Sequence, residues 1–316
     1  MNEGEKRLGG MVFNRRTFLA TAAAALLTGG RARGALPDAI IPLWPGEPPG
    51  GGGPTGPLAM SPRGSTSAIA APSVQVFAPQ RPNGSAMIVA PGGGYKRISL
   101  QNEGISPALW LAQRGITTYV LSYRLPREGW RAGRLAPLQD AQRAICIVRR
   151  GIGDFRPQRL GVLGFSAGGH LMGLAAMRHD FASYQPVDGA DREPARTDAA
   201  ALIYPIVTLE PPFDSTSSRV EMIGQSPPLQ LADAWSVDTY VRAGCPPVFL
   251  VDAKDDTIAN PQHSRILADA CRKAGVPVAL HELPSGGHGF GMGKSGTPSQ
   301  AWPNWFEAWL REVNLL

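Results

Sequence analysis

Short apolar runs alternate along this chain with longer stretches in which apolar residues return every three or four positions. Seven runs have the length and residue types of strands, at 74–77, 86–90, 117–121, 160–163, 200–204, 248–252 and 278–282. The three-to-four spacing predicts helices over 105–114, 139–149, 167–177, 261–274 and 303–312. Gly115 and Gly275 follow two of those helices, where a C-terminal cap favours glycine. Such alternation builds an α/β fold, with a mostly parallel central sheet and helices on both faces. Ligands of such sheets bind beyond the carboxyl ends of the strands.

Two stretches break the rhythm. Residues 45–65 are dense in Pro and Gly and predict irregular, exposed chain. Residues 205–246 are rich in Pro and Ser and are expected to form a small insertion or a flap over the site. The simplest organisation is one domain over 66–316, reached through a Pro/Gly-rich segment at 35–65.

Composition changes this picture mainly at the N-terminus. The chain has 316 residues, 43% of them hydrophobic, enough for a sizeable core, and a formal net charge of +6. Six basic residues (Lys6, Arg7, Arg15, Arg16, Arg31, Arg33) fall in the first 34 positions against Glu3 and Glu5, leaving 25 basic and 23 acidic residues beyond them. No basic stripe with interleaved aromatics remains, so nucleic acid is not an expected partner. Asn14-Arg15-Arg16-Thr17-Phe18-Leu19 has the twin-arginine form, an apolar run follows at 20–27, and Ala32-Arg33-Gly34-Ala35 offers small residues for cleavage. Residues 1–34 are therefore read as an export signal, with the protein expected in the periplasm or secreted. The apolar run is about half the ~20 residues that cross a bilayer, so no stable membrane span is expected. Of the three cysteines, Cys245 and Cys271 are candidates for a disulfide in an oxidising compartment, against the alternative of free buried thiols; Cys146 lies in an apolar helical stretch.

The chemistry is concentrated in Gly164-Phe165-Ser166-Ala167-Gly168, a G-x-S-x-G placed between a predicted strand and a predicted helix. A strand reversing sharply into a helix pushes the serine hydroxyl into the open and aims free helix N–H groups beside it. A serine hydroxyl needs a base to take its proton, usually a histidine oriented by a carboxylate. Among five histidines, His288 stands out, in the glycine-rich loop Ser285-Gly286-Gly287-His288-Gly289-Phe290-Gly291 after the last strand. His170, four residues past Ser166, reads as a packing or surface group. Asp252, Asp255 and Asp256 compete for the carboxylate at the end of the 248–252 strand. Pro91-Gly92-Gly93-Gly94-Tyr95, directly after another strand, lets backbone N–H groups approach a substrate and, with that of Ala167, form an oxyanion hole. Neither G-x-x-x-x-G-K-[ST] nor H-E-x-x-H is present, so no cofactor and no metal is expected.

Six segments occur in order: Pro91-Gly-Gly-Gly-Tyr95, Asn102-Glu-Gly104, Tyr123-Arg-Leu125, Pro137-Leu-Gln-Asp-Ala141, Gly164-Phe-Ser-Ala-Gly-Gly-His170 and Gly287-His-Gly-Phe-Gly291. Together they resemble exported bacterial α/β-hydrolases of the carbohydrate-esterase type, acetylxylan esterase-like or feruloyl esterase-like, over about residues 40–316. The resemblance implies the α/β-hydrolase fold, Ser166 as nucleophile, His288 as base, Asp256 as acid, and Gly93, Gly94 and Ala167 as oxyanion donors. Asp256 is the residue that falls on the acid of the loop H-G-x-x-D usual in this fold, and Asp255 is then expected to hydrogen-bond the turn. Asp252 stands where many relatives carry histidine. Pro91 stands where lipase and hormone-sensitive-lipase relatives carry histidine, which favours the carbohydrate-esterase side. Glu103 is expected to brace the glycine loop and Asp140 to be a structural ion-pair or cap residue. Tyr95 is a candidate substrate-binding residue or a packing one, and Trp44, Trp110, Trp130 and Trp235 are candidates for stacking on sugars or for the core.

The expectation is a serine esterase that removes short acyl groups, foremost acetyl, from plant polysaccharide or oligosaccharide. The partner is then an acylated carbohydrate or another small ester. A general carboxylesterase, a peptidase resembling the prolyl oligopeptidase group, and a catalytically silent binding homologue are the alternatives.

Overall fold

The computed structural model describes residues 36–316, so the twin-arginine segment at 1–34 lies outside the described residues. The seven apolar runs become strands of one sheet, joined by an eighth at its edge. The strands are β1 (Ala39–Pro42), β2 (Ser73–Phe77), β3 (Ser85–Ala90), β4 (Thr117–Ser122), β5 (Arg159–Phe165), β6 (Ala199–Ile203), β7 (Val248–Ala253) and β8 (Val278–Leu283). Their spatial order is β1-β2-β4-β3-β5-β6-β7-β8. β2 runs antiparallel to β1 and β4, and every other pairing is parallel. This is the α/β-hydrolase arrangement. β1 escaped the sequence reading because it is only four residues long, ends on Pro42 and runs directly into the Pro/Gly-rich segment.

The helices are α1 (Ser106–Ala112), α2 (Leu135–Arg150), α3 (Ala167–Met177), α4 (Ser217–Ile223), α5 (Leu229–Asp233), α6 (Gln262–Lys273) and α7 (Trp302–Glu312). α1 is entered through a π-helical turn, Leu100–Ile105, which shortens the helix expected over 105–114. The central strands read as unbroken apolar runs because both of their faces are covered. Every residue of β3 is buried. On β7, Phe249 meets Phe306 and Trp309 of α7 at ring separations of 5.4 and 5.3 Å. Asp252, three positions on and therefore facing the other side, lies near Ser264 of α6.

The two irregular stretches are tied to this body. Residues 45–65 are largely exposed, as expected, but Ala59–Met60 pairs with Thr66–Ser67 in a small hairpin, and Thr66 bridges to Ile98 beside the glycine turn. Residues 205–246 begin inside the core with Ile206, Val207 and Leu209, and then form α4 and α5. α4 packs on the glycine turn: a Cβ at Gly94 would collide with the Ser217 hydroxyl. The segment is therefore built into the domain and walls the turn.

One buried ion pair fastens the N-terminal segment to α2. Arg124 and Asp140 have fully buried side chains and meet at 3.0 Å. Asp140 also accepts from the Arg124 backbone N–H and from Trp44 Nε1, each at 2.8 Å. The guanidinium donates onward to the carbonyl of Pro49 at 3.0 Å and to Gln139 Oε1 at 2.9 Å. Two charges this deep are tolerable only because nearly every donor has an acceptor. Asp140→Ala should therefore lower stability by about 3–5 kcal/mol in chemical unfolding, since it strands a buried cation. Arg124→Met with Asp140→Leu should recover part of that loss. An Asp140→Ala protein as stable as wild type would show that the pair is not the fastening.

Candidate active site

The reversal between β5 and α3 places Ser166 at φ +53°, a left-handed backbone that non-glycine residues adopt only under constraint. Glycine is required on its flank for close approach. A Cβ at Gly168 would run into the carbonyl oxygens of Ala90 and Pro91, so the start of α3 could not sit against the end of β3. The Ser166 N–H donates to the carbonyl of Ile203 at 3.0 Å, and its carbonyl accepts from His170 N at 3.1 Å. The hydroxyl is thus fixed at the carboxyl edge of the sheet.

His288 and Asp256 arrive from the loops after β8 and β7. Ser166 Oγ lies 2.8 Å from His288 Nε2, and His288 Nδ1 lies 2.7 Å from Asp256 Oδ2. Asp256 Oδ1 accepts from the N–H groups of Ile258 and Ala259 at 2.8 and 2.9 Å, so the carboxylate is held at both oxygens. With Nδ1–H donating to this carboxylate, Nε2 is left as the acceptor for the serine proton. The His288 side chain is 14% exposed and that of Asp256 is fully buried. The three residues singled out from the sequence are therefore hydrogen-bonded in series.

The other two acids do different work. Asp255 Oδ1 accepts from the N–H groups of Gly286 and Gly287, both at 2.8 Å. It bonds the base loop rather than its own turn, and the Gly287 N–H foremost holds its carboxyl below the usual carboxylate range. Asp252 is 1% exposed, and neither of its oxygens has a hydrogen-bond partner among the described residues. Burial pushes its carboxyl up to about 7. The base loop is also tied by Asn102 Nδ2 to the Gly289 carbonyl at 3.3 Å, by Trp302 Nε1 to the Gly291 carbonyl at 3.1 Å, and by the Gly291 N–H to the Tyr204 hydroxyl at 3.0 Å. This glycine-rich loop is tethered along its length.

The glycine turn lies against the serine: a Cβ at Gly92 would meet Ser166 Cβ at 2.8 Å. Its Gly92 N–H donates to Glu103 Oε2 at 2.8 Å, the bracing expected of that glutamate. The N–H groups of Gly93 and Gly94 donate to no acceptor among the described residues. Ala167 is the first residue of α3, where the N–H has no acceptor in its own helix. Free N–H groups at a helix start, and on a turn that lies against the serine, are suited to stabilising an anion.

Several candidates turn out to be structural. Tyr95 is 1% exposed and its hydroxyl lies 2.9 Å from His170 Nδ1, so its side chain packs beneath the turn and does not line the site. His170 Nε2 meets the Trp235 carbonyl at 2.7 Å, and burial lowers the ring to about 4, so it stays neutral. Trp44, Trp130 and Trp235 are buried, and the Arg114 guanidinium covers Trp110 at 3.7 Å. Cys146, Cys245 and Cys271 are buried and free. Among the described residues, no helix is long and apolar enough to cross a membrane. The residue that sequence reasoning missed is Tyr204. It ends the β6 run at φ +38°, its hydroxyl donates to Glu103 Oε1 at 2.8 Å, and its ring lies 4.8 Å from that of His288. Nothing but its place at a strand's carboxyl end marked it.

The chain is similar to several known proteins. The BD-FAE family profile matches residues 74–271. An acetylxylan esterase of Xylanibacter ruminicola is 30% identical over 223 residues, covering 69% of this chain and 43% of the relative. Endo-1,4-beta-xylanase B of Butyrivibrio fibrisolvens is 29% identical over 205 residues, 64% of this chain and 32% of the relative. The chain thus spans less than half the length of these two curated relatives. The crystal structure of an acetyl ester-xyloside bifunctional hydrolase from Caldicellulosiruptor lactoaceticus superposes with a TM-score of 0.72 at 30% identity, covering 90% of this chain and all of that one.

The state of Asp252 carries a pH signature. Its carboxyl is protonated in the fold up to about pH 7 but ionises near ~4 when unfolded, so stability is lost as pH rises between those values. The penalty is about 1.4 kcal/mol per pH unit at most, and constant above the window. Asp252→Asn should therefore gain stability relative to wild type on going from pH 4 to pH 8. A difference between the two proteins that does not change with pH in urea unfolding would refute the protonated state.

Proposed function

The chain belongs to the BD-FAE family, and from that premise we propose that it is an exported serine esterase cleaving short acyl esters, foremost acetyl, of plant polysaccharide or oligosaccharide. The observation that carries the reading is the series Ser166–His288–Asp256, with contacts of 2.8 and 2.7 Å. In this reading Ser166 Oγ attacks the ester carbonyl while its proton passes to His288 Nε2. Asp256 stabilises the imidazolium and keeps its ring oriented. The oxyanion of the tetrahedral intermediate is received by the N–H groups of Gly93, Gly94 and Ala167. His288 then returns the proton to the leaving sugar hydroxyl, which departs and leaves the serine acylated. A water, deprotonated by His288, attacks the acyl-enzyme, and acetate leaves as the serine regains its proton.

The carbohydrate substrate is supported by the acetylxylan esterase and the acetyl ester-xyloside hydrolase among the similar proteins. Export is supported by the twin-arginine pattern at 14–19 alone.

The test is acetate release from acetylated xylan beside hydrolysis of acetyl and longer-chain nitrophenyl esters. Strong acetate release with little long-chain activity is expected. Turnover of nitrophenyl acetate without xylan deacetylation would keep the serine chemistry and move the substrate to small esters. Ser166→Ala should lower kcat by about 10⁴–10⁶-fold while changing stability by less than about 1 kcal/mol. Wild-type activity in that variant would sink the assignment.

A further inference from the structure

The glycine turn and the base loop come from opposite sides of Ser166, yet they share one buried connection. Glu103, 4% exposed, accepts the Gly92 N–H on Oε2 and the Tyr204 hydroxyl on Oε1, both at 2.8 Å. The same hydroxyl accepts the Gly291 N–H at 3.0 Å. The Tyr204 ring packs edge-on to His288 and Phe290 at 4.8 and 4.5 Å. Tyr204 is itself fixed by its N–H to the Val251 carbonyl at 2.6 Å, on the strand that leads to Asp256. A fully buried phenol and carboxylate at such a junction are costly unless every donor meets an acceptor. The run Gly92 N–H, Glu103 carboxylate, Tyr204 O–H, Gly291 N–H meets that condition.

We propose that Glu103 and Tyr204 are a positioning pair that sets the spacing between the oxyanion donors and the His288 base. This deepens the serine-esterase reading and rests on it for its catalytic consequence. Neither residue hydrogen-bonds Ser166 Oγ or the His288 nitrogens among the described residues. Each acts through the segment it holds: Glu103 through Gly92 on the donor turn, Tyr204 through Gly291 on the base loop. Donors displaced by about 1 Å can cost up to ~10²-fold in rate, because they must fit the oxyanion rather than the ground-state carbonyl. The loss should therefore fall on kcat and spare KM.

The polarity of the link makes conservative variants informative. A carboxylate accepts at both oxygens, whereas a glutamine can accept at only one. In Glu103→Gln the amide oxygen can keep the Gly92 N–H, but its NH₂ can only donate toward the Tyr204 oxygen, so the phenol proton loses its acceptor. The link is weakened with almost no change in volume. Tyr204→Phe cuts it from the other side by deleting one oxygen, and stands in should the glutamine variant fold poorly.

Three measurements on the full chain decide it. The first, amide hydrogen exchange, is independent of catalysis: each variant should speed exchange in residues 91–98 and in 285–293 together. The second is kinetics on nitrophenyl acetate, where kcat should fall about 10–100-fold with KM within about twofold. Binding of a trifluoromethyl ketone, which forms an oxyanion on Ser166, should weaken in proportion to kcat. Because the two residues share one link, the double variant should be little worse than the worse single one. Loosening confined to one segment overturns the proposal, as does unchanged kcat, a loss carried by KM, or fully additive losses. Should wild type prove inactive on esters, the esterase reading fails by that result alone, and the exchange pattern still decides the coupling.

Discussion

The structure depends on one constrained reversal. At Ser166 the chain leaves the sheet and turns directly into α3, with a positive-φ serine that costs on the order of 1–3 kcal/mol. The conformation persists because its surroundings over-determine it. The Ser166 N–H is bound to β6, its carbonyl accepts from His170 and from Ile206, and all eleven residues of α3 are buried. The close fit of Gly168 against Ala90 and Pro91 brings the β3 end beside the serine, and with it the glycine turn. Once that contact is made, the parallel sheet delivers the remaining loops to the same edge, since β7 and β8 end there too. The strain at one residue is the condition for the whole site.

Around this point, side chains of one type divide by surroundings. Three aspartates lie within five positions, and strand period and turn geometry send them to three environments. Asp252 is buried against α6 and holds its proton, Asp255 points outward and binds the base loop's backbone, and Asp256 is enclosed with both oxygens occupied. The histidines divide in the same way. His170 is bonded at both ring nitrogens and kept neutral by burial, whereas His288 retains a nitrogen for the serine.

Much of this was legible in the chain, and for identifiable reasons. Strands covered on both faces are almost continuously apolar, so β3 to β7 announced themselves, and the partly covered β2 and β8 kept shorter apolar runs; β1, a four-residue edge strand ending on proline, and the two-residue strands of the 59–67 hairpin are too short to stand out. α3 was readable to its ends because the nucleophile turn marks its start and Arg178 closes its apolar run. Ser166 and His288 were legible because a strained turn and a loop approaching another backbone both demand glycine, which leaves a mark in composition. Asp256 could be singled out from Asp252 and Asp255 only by resemblance, since adjacent acids on a loop differ in where they point rather than in kind.

What tertiary structure alone decided are the relations between distant segments. Tyr204 looks like the last residue of an apolar strand; its role follows from Glu103, 101 positions away, and from Gly291, 87 positions on. Tyr95 adjoins the glycine turn in sequence and yet turns inward to His170. Residues 205–246 looked like an added flap, but their first apolar positions belong to the core and α4 leans on Gly94. The sequence by itself determined the layered sheet, the strained serine and the chemistry at its edge, because periodicity and glycine are local consequences of burial and backbone geometry. The links that hold the site's loops at their spacing depend on hydrogen bonds between residues far apart in the chain, and one sequence carries no local trace of those.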